Sequence, residues 1–588
     1  MRERTAWRGL CAFAVLVALL TTGTSAWAAP SVAVSPLNGT PDASPWTQIS
    51  FLGVPVGQIA DVSVVGSRTG RHSGHIKAYA TASGGSFLPT SPFAQGERVS
   101  VSAVVGPKGH TATVRSTFTI ASLPAYTIAY PKPVQLSGHG LVQAFQSAPK
   151  VQPPVVSVTA NSPAAGEGDI FLTPTHGYGQ PGPMILDPQG GLLWFHAVPS
   201  GDAAADFQVQ SYRGEPVLTW WEGRIATSLG VGFGRDEIVN SSYKPIGSVD
   251  AGNGYQADLH EFQITPQGSA FLTAYSLVDA DLSSAGGPSQ GILQDAVVQE
   301  VDIPTGLVMF EWHAYGHVAI ADSYGSPKAT EPWDFFHLNS ISLDPWGDGN
   351  FVVSSRNTWA AYEINHVSGN VEWRLGGKHS SFKMGPGTGT AYQHDVQWQP
   401  DGTLTIFDNG ATPKAHSESR VIREKIDWKK RSVSLVSRYT NKLLSGSQGD
   451  DQVLANGDSF VGWGEEPDLT EFSPTGQLLF AAHFPYPGQS YRAYRFPWSA
   501  TPASQPAIAV KAASASAVTV YASWNGATAV SSWRVLGGAS SSSLAPVATA
   551  PRGGFETAIA VGGGYAYFAV QALSGSGQII GTSAAVAR

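Results

Sequence analysis

One unit, an apolar alternation, a turn and a second alternating run, returns five times between residues 184 and 463. It spans Met184 to Trp194 around Pro188-Gln189-Gly190, and Phe262 to Tyr275 around Pro266-Gln267-Gly268. It returns at Ile341 to Ser355, at Val396 to Asp408 around Pro400-Asp401-Gly402, and at Gln452 to Trp463 around Ala455-Asn456-Gly457. Period-2 runs joined by a short glycine turn are the signature of a hairpin. A second, outer hairpin turns at Thr305-Gly306, Ser368-Gly369 and Thr475-Gly476. The turns at Asp344, Gln399 and Leu454 lie 55 and 55 residues apart. A period of that length means an array of similar sheets.

Four strands per unit over residues 155–497 give about six units, and radial closure is the arrangement that removes their exposed edges. The expected fold is all-β, with a six-bladed β-propeller and units near 166–202, 203–255, 256–318, 333–380, 390–445 and 448–497. A solenoid or two stacked sandwiches would share the period. Gly 66, Pro 40 and only 13% charged residues, against the usual quarter or so, fit short strands and many turns. Residues 31–121 alternate in short runs broken by Gly, Pro and Ser, which suits an immunoglobulin-like β-sandwich. Residues 122–154 read as a Pro-rich connector. Residues 503–588 resemble the strands of a fibronectin-type-III-like β-sandwich, whose Trp524 and Trp533 need a core; packing or cell-surface association is its expected role.

Residues 1–28 read as a secretory leader: Arg2, Arg4 and Arg8, an apolar run from Leu10 to Leu20, then Ala26-Trp27-Ala28 as a small-x-small cleavage site near Ala28. The run is too short to span about 30 Å comfortably, so stable membrane insertion is not expected. A secreted or extracytoplasmic chain follows. Its one cysteine, Cys11, lies in the leader, which excludes disulfides, thiolate nucleophiles and cysteine-bound metals from the mature chain. Removing the leader takes the net charge from −8 to −10, a poor balance for binding nucleic acid. An anionic substrate must then be held by local cations.

Chemistry concentrates at strand entries. His337 in Asp334-Phe335-Phe336-His337-Leu338-Asn339-Ser340 and His394 in Tyr392-Gln393-His394-Asp395 each precede an alternating run, and His260 in Asp258-Leu259-His260-Glu261-Phe262 is a third copy. In a closed array such positions converge on one mouth of the channel, and Arg356, ending the strand after His337, reaches the same place. Three imidazoles and one guanidinium, without a carboxylate cluster, suit a tetrahedral oxyanion. A neutral imidazole is also a nucleophile toward a sulfuryl or phosphoryl centre.

These segments, with Ser354-Ser355-Arg356-Asn357 and the closing Tyr491-Arg492-Ala493-Tyr494-Arg495, resemble the arylsulfotransferase (aryl-sulfate sulfotransferase) family over roughly residues 153–497. The resemblance implies an exported enzyme that moves a sulfuryl group from an aryl sulfate to a phenolic acceptor. It needs no nucleotide donor (PAPS-independent) and no cofactor, and passes through a sulfohistidine intermediate. Carried over by motif, His394 is the nucleophile, His337, Asn339 and Arg356 hold the sulfuryl oxygens, and His260 is the acid or base at the phenolic oxygen. Two other readings stay open: a non-catalytic propeller that binds glycan, protein or an anionic aromatic ligand, and a hydrolase of sulfate or phosphate esters.

The remaining candidates weigh less. His313 and His317 have H-x3-H spacing but no further ligand in register, so no metal site is expected there. Asp450-Asp451 and Glu465-Glu466 read as surface charge, as do His72, His75 and His110 as surface histidines. Trp220, Trp221, Trp333, Phe335, Trp359 and Trp463 are expected mostly to pack between sheets, with one or two at most touching substrate.

Overall fold

The computed structural model describes residues 32–588 other than Asp348 and Ala515. The expected leader, with Cys11, lies outside the described residues. Among those described, the helical elements are single turns at Val56–Gln58, Ser283–Ala285 and Ile320–Asp322, so the chain is all-β as expected. Among the described residues, no helix is long and apolar enough to cross a membrane.

Four of the five repeated turns share one geometry; the fifth, closed by the Asp344 N–H on Asn350 O, is two residues longer. At Thr265 to Ser269 the Gly268 N–H donates to Thr265 O at 3.0 Å, the Thr265 N–H donates to Ser269 O at 2.8 Å, and Gly268 sits at φ +88°. Gln399 to Thr403 repeats it at 2.9 and 2.8 Å with Gly402 at φ +77°. This three-residue hairpin requires a left-handed residue at its last position, which is why glycine recurs there.

Six strands, β1 (Ala203–Tyr212), β2 (Ala257–Ile264), β3 (Leu338–Leu343), β4 (His394–Trp398), β5 (Asp450–Val453) and β6 (Ser490–Phe496), each start a run of antiparallel strands. From β3 the sheet continues through Phe351–Ser355, Ala360–Ile364 and Val371–Gly376; from β4 it continues through Thr403–Asp408, Arg420–Asp427 and Ser432–Tyr439. The runs from β1 and β2 belong to one nine-stranded sheet, whose two halves are joined by a single pairing, Gly234 with Ala257. β6 leaves the unit that precedes it and pairs with Asp169–Pro174, so the chain's later part completes the sheet its earlier part began. The six strands touch in the cyclic order β6, β1, β2, β3, β4, β5 and back to β6.

Side chains stitch that circle. Asp206 Oδ2 accepts the Phe262 N–H at 3.4 Å, Glu261 Oε2 that of Ile341 at 3.2 Å, and Ser340 Oγ that of Val396 at 3.0 Å. Asp395 Oδ2 accepts the Asp451 N–H and Asp450 Oδ1 that of Ala493, both at 2.9 Å. Neighbouring inner strands do not form a ladder with each other, so buried N–H groups there need side-chain acceptors. Asp450 and Asp451 are thus buried, not the surface charge expected from sequence. Arg492 of β6 closes the circle by donating to Asp206 Oδ1 at 3.1 Å and Glu261 Oε2 at 3.0 Å. Between sheets the packing is apolar: Trp373, Val396, Trp398, Leu404 and Ile422 share one cluster, and Phe407, Val461, Trp463 and Phe472 another. Each such side chain contributes ~1.5–3 kcal/mol by leaving water.

Two further units flank this body. Residues 33–119 form two four-stranded sheets around Ile49, Phe51, Val64, Val101 and Phe118. Ser50 Oγ and Tyr79 Oη bind Val308 O at 2.5 and 3.3 Å, docking the unit. His72, expected at the surface, is buried there against Phe93 with Nε2 2.7 Å from Thr69 Oγ1, because it follows directly on an edge strand that folds back over the core. Residues 507–587 form a three-stranded and a five-stranded sheet around Val520, Trp524, Trp533 and Val570.

Candidate functional site

Three inner strands deliver the histidines. In β2, residues two apart share a face, so Asp258 lies beside His260, with Oδ2 2.5 Å from Nδ1. Asp258 is itself pinned by the Gly232 N–H at 2.7 Å and Thr273 Oγ1 at 3.0 Å. His337 enters β3 at φ +51°, a region that non-glycine residues rarely occupy. That bend sets Asp334 against it, accepting the His337 N–H at 2.8 Å and standing 2.6 Å from its Nδ1.

His394 opens β4 and is held differently. Its Nδ1 lies 2.7 Å from Asn409 Oδ1, and the Asn409 amide donates to Gln448 O at 3.0 Å and Ser445 O at 3.3 Å. With the NH2 group committed, the amide oxygen faces the ring, so Nδ1 carries the proton and Nε2 the lone pair. The Gln448 N–H donates to that Nε2 at 3.2 Å.

Arg356 follows the strand Phe351–Ser355, its N–H on His337 O at 2.9 Å. The guanidinium lies 4.7 Å over the Tyr392 ring and donates to Gly446 O and Asn357 Oδ1, each at 3.1 Å.

The ring centroids of His260 and His337 are 5.0 Å apart, and those of His337 and His394 6.3 Å. All three imidazoles and Arg356 line one cavity of about 520 Å³, with Tyr491, Leu229 and Leu259 among its other walls. Four of the five residues singled out in the sequence therefore meet. Asn339, the fifth, is not on the cavity wall: it is fully buried and spends its NH2 on Gln393 O at 2.7 Å, next to His394. None of Trp220, Trp221, Trp333, Phe335, Trp359 or Trp463 lines the cavity; Tyr491 is its aromatic wall.

The expectation of a site without carboxylates is corrected: Asp258 and Asp334 each hold a histidine. Their spacing, two and three residues before the histidine, was visible, and strand alternation and a tight bend turn that spacing into contact. Asn409 gave no local signal. It reaches His394 because the β4 hairpin sets His394 opposite Phe407, two residues before it.

Burial, the Arg356 charge and the neighbouring His337 hold the His394 imidazole well below its ordinary 6.5. Burial, His260 and Arg356 do the same to His337, while burial pushes Asp334 up to about 7. Burial opposes ionising Asp258, yet the His260 imidazole and three hydrogen bonds outweigh it and hold that carboxyl low. The site thus offers a neutral, oriented nucleophile, a histidine backed by an ionised carboxylate, and a fixed cation.

Residues 208–485 match the arylsulfotransferase (ASST) family model. The resemblance carried by the histidine segments is borne out over that span, which contains His260, His337, Asn339, Arg356 and His394. A search of curated proteins gave no match. Among solved structures, a protein of unknown function from Bacteroides caccae is similar at 13% identity and TM-score 0.35, over 56% of this chain and 98% of that one. A catalytically inactive virginiamycin B lyase from Staphylococcus aureus, with quinupristin, is similar at 9% identity and TM-score 0.31, over 63% and 97%. A quinoprotein alcohol dehydrogenase-like protein from Bacteroides thetaiotaomicron follows at 8% and 0.24, over 78% and 96%. Likeness at that level does not bear on this chain's activity.

Proposed function

We propose that this chain is an exported, PAPS-independent aryl-sulfate sulfotransferase, built as a six-bladed β-propeller with an immunoglobulin-like sandwich before it and a fibronectin-type-III-like sandwich after it. The antiparallel runs that start at β1 to β6 and the cyclic contacts of those six strands support the propeller. The basic start, apolar run and Ala26-Trp27-Ala28 support export, and the last sandwich suits attachment at a cell surface.

The observation that carries the chemistry is the Asn409 clamp on His394, which puts the lone pair on Nε2 inside a cavity shared with Arg356; the Gln448 N–H that it accepts at 3.2 Å is released when Nε2 attacks. In the first half-reaction Nε2 attacks the sulfur of an aryl sulfate. An N–S bond forms, the S–O bond to the aryl group breaks, and the leaving phenolate takes its proton from His260. In the second, His260 takes the proton of an acceptor phenol as its oxygen attacks sulfur, and His394 leaves neutral. Arg356 and His337 hold the sulfuryl oxygens, whose positioning and charge stabilisation do most of the catalytic work. Asn339 acts one layer back, fixing Gln393 beside the nucleophile.

The reading is tested by trapping. Protein mixed with p-nitrophenyl sulfate and quenched at high pH is expected to gain about 80 daltons on the peptide carrying His394, as an N-linked intermediate requires. Nitrophenol release should depend on added phenol; release with water alone would show a hydrolase, and neither release nor adduct a binding module.

A pH profile adds a second check. The lowered His394 value means the nucleophile stays neutral as pH falls through 6.5, so the acid limb of kcat/KM is expected well below 6.5. A limb centred at or above 6.5 would contradict the neutral buried imidazole.

A further inference from the structure

The seam between the N-terminal unit and the body holds a second histidine cluster. His313 ends the strand Leu307–His313; Asp295 lies on the adjacent strand Gly291–Asp302, and Asp42 comes from the N-terminal unit. All three are buried, and their ligand atoms lie within 4.8 Å of one another. His313 Nδ1 is 2.8 Å from Asp295 Oδ2 and 3.2 Å from Asp42 Oδ1. Neither oxygen of Asp42 makes a hydrogen bond, although the residue is 2% exposed. The buried Tyr255 hydroxyl beside the cluster also has no partner.

The other face of the imidazole is committed. His313 Nε2 lies 3.2 Å from Glu311 Oε1, while Glu311 Oε2 accepts Asn253 Nδ2 at 2.7 Å and Gln299 Nε2 at 2.6 Å. A proton on Nε2 directed at Glu311 leaves the Nδ1 lone pair facing two carboxylates. Three carboxylates around one imidazole also leave net negative charge in a buried place even when the ring is protonated, and such charge needs a counter-ion.

We propose that Asp42, Asp295 and His313 Nδ1 bind a divalent first-row transition ion, such as Zn2+ or Mn2+, that clasps the N-terminal unit to the body. One imidazole with two carboxylates is a mixed N/O donor set for such ions. Metal bonds of about 2.0–2.2 Å place neighbouring ligand atoms roughly 3 Å apart, as the Nδ1 distances require. Glu311 plays the part that carboxylates regularly take behind a metal-bound histidine, fixing its tautomer and orientation. Spacing along the chain offers His313 no further ligand because both come from outside its own loop: Asp295 from the paired strand, Asp42 from another unit. His317 is not one of them, since its Nδ1 lies 2.7 Å from His313 O.

The test uses the full chain, purified without a histidine tag, stripped with EDTA and titrated with ZnCl2 and MnCl2 by calorimetry, with bound metal counted by mass spectrometry. One equivalent per chain and a raised unfolding temperature are expected. Asp42→Asn should lose both; the substitution keeps the size of the side chain and gives up the charge on the 3.2 Å contact with His313 Nδ1. Glu311→Gln should bind about 10–100-fold more weakly. No stoichiometric uptake, or undiminished uptake by a folded Asp42→Asn chain, would overturn the proposal and leave protons holding the cluster.

Discussion

Replacing His394 with alanine is expected to reduce phenol-dependent turnover of an aryl sulfate by on the order of 10⁴- to 10⁶-fold, the range seen when a nucleophile is deleted from a preorganised site. That corresponds to about 5–8 kcal/mol of lost transition-state stabilisation. The covalent adduct should disappear with it. The protein should stay folded, since the ring makes only the Asn409 and Gln448 hydrogen bonds. Asn409→Asp separates orientation from nucleophilicity. A carboxylate there still accepts the Nδ1 proton but adds a negative charge, so the acid limb of kcat/KM should move to higher pH. A single-turnover measurement of adduct formation across pH checks both variants. Turnover by His394→Ala within tenfold of the parent would remove His394 from the reaction.

The second large effect is structural. Arg492 is 2% exposed and lies within ion-pair distance of Asp206, Glu261 and Asp395. Burial works against its charge, but Glu261, Tyr494 and Asp206 outweigh that and raise its affinity for the proton. Arg492→Met is expected to destabilise the body by about 3–5 kcal/mol, because the carboxylates keep their burial and lose their cation. The sign of the pH dependence follows. Burial raises the folded-state values of Asp206 and of Glu261, the latter to about 7. Acids raised above their unfolded values favour the folded state at low pH, and lose that advantage as pH rises through the folded value. The variant should therefore be closest to the parent near pH 5 and furthest from it near pH 8, read from urea unfolding midpoints. An equal deficit at both would show that lost packing, rather than unpaired charge, is the cause.

The sequence by itself determined the all-β character, the repeating hairpins and four of the five residues that were expected to meet at one site. These are local properties: glycine is needed where the hairpin's last turn residue is left-handed, and alternation sets which face each side chain takes. His260, His337 and His394 were legible because the same position recurs in successive units, so any closed arrangement of those units brings them together. Asp258 and Asp334 stand two and three residues before the histidines they hold, but the remaining contacts of the site were decided by the tertiary structure. The Gln448 N–H on the His394 Nε2 and the Arg492 network join residues from different sheets, and no spacing along the chain encodes such a contact; Asn409 meets His394 within one hairpin, but its amide is oriented by the Ser445 and Gln448 carbonyls beyond that hairpin. Asp450 and Asp451 went the same way: an acidic pair reads as solvated until the inner strands leave buried N–H groups that need acceptors. Asp42 and His313 are the extreme case, 271 positions apart in the chain and brought to 3.2 Å only when one folded unit docks on another.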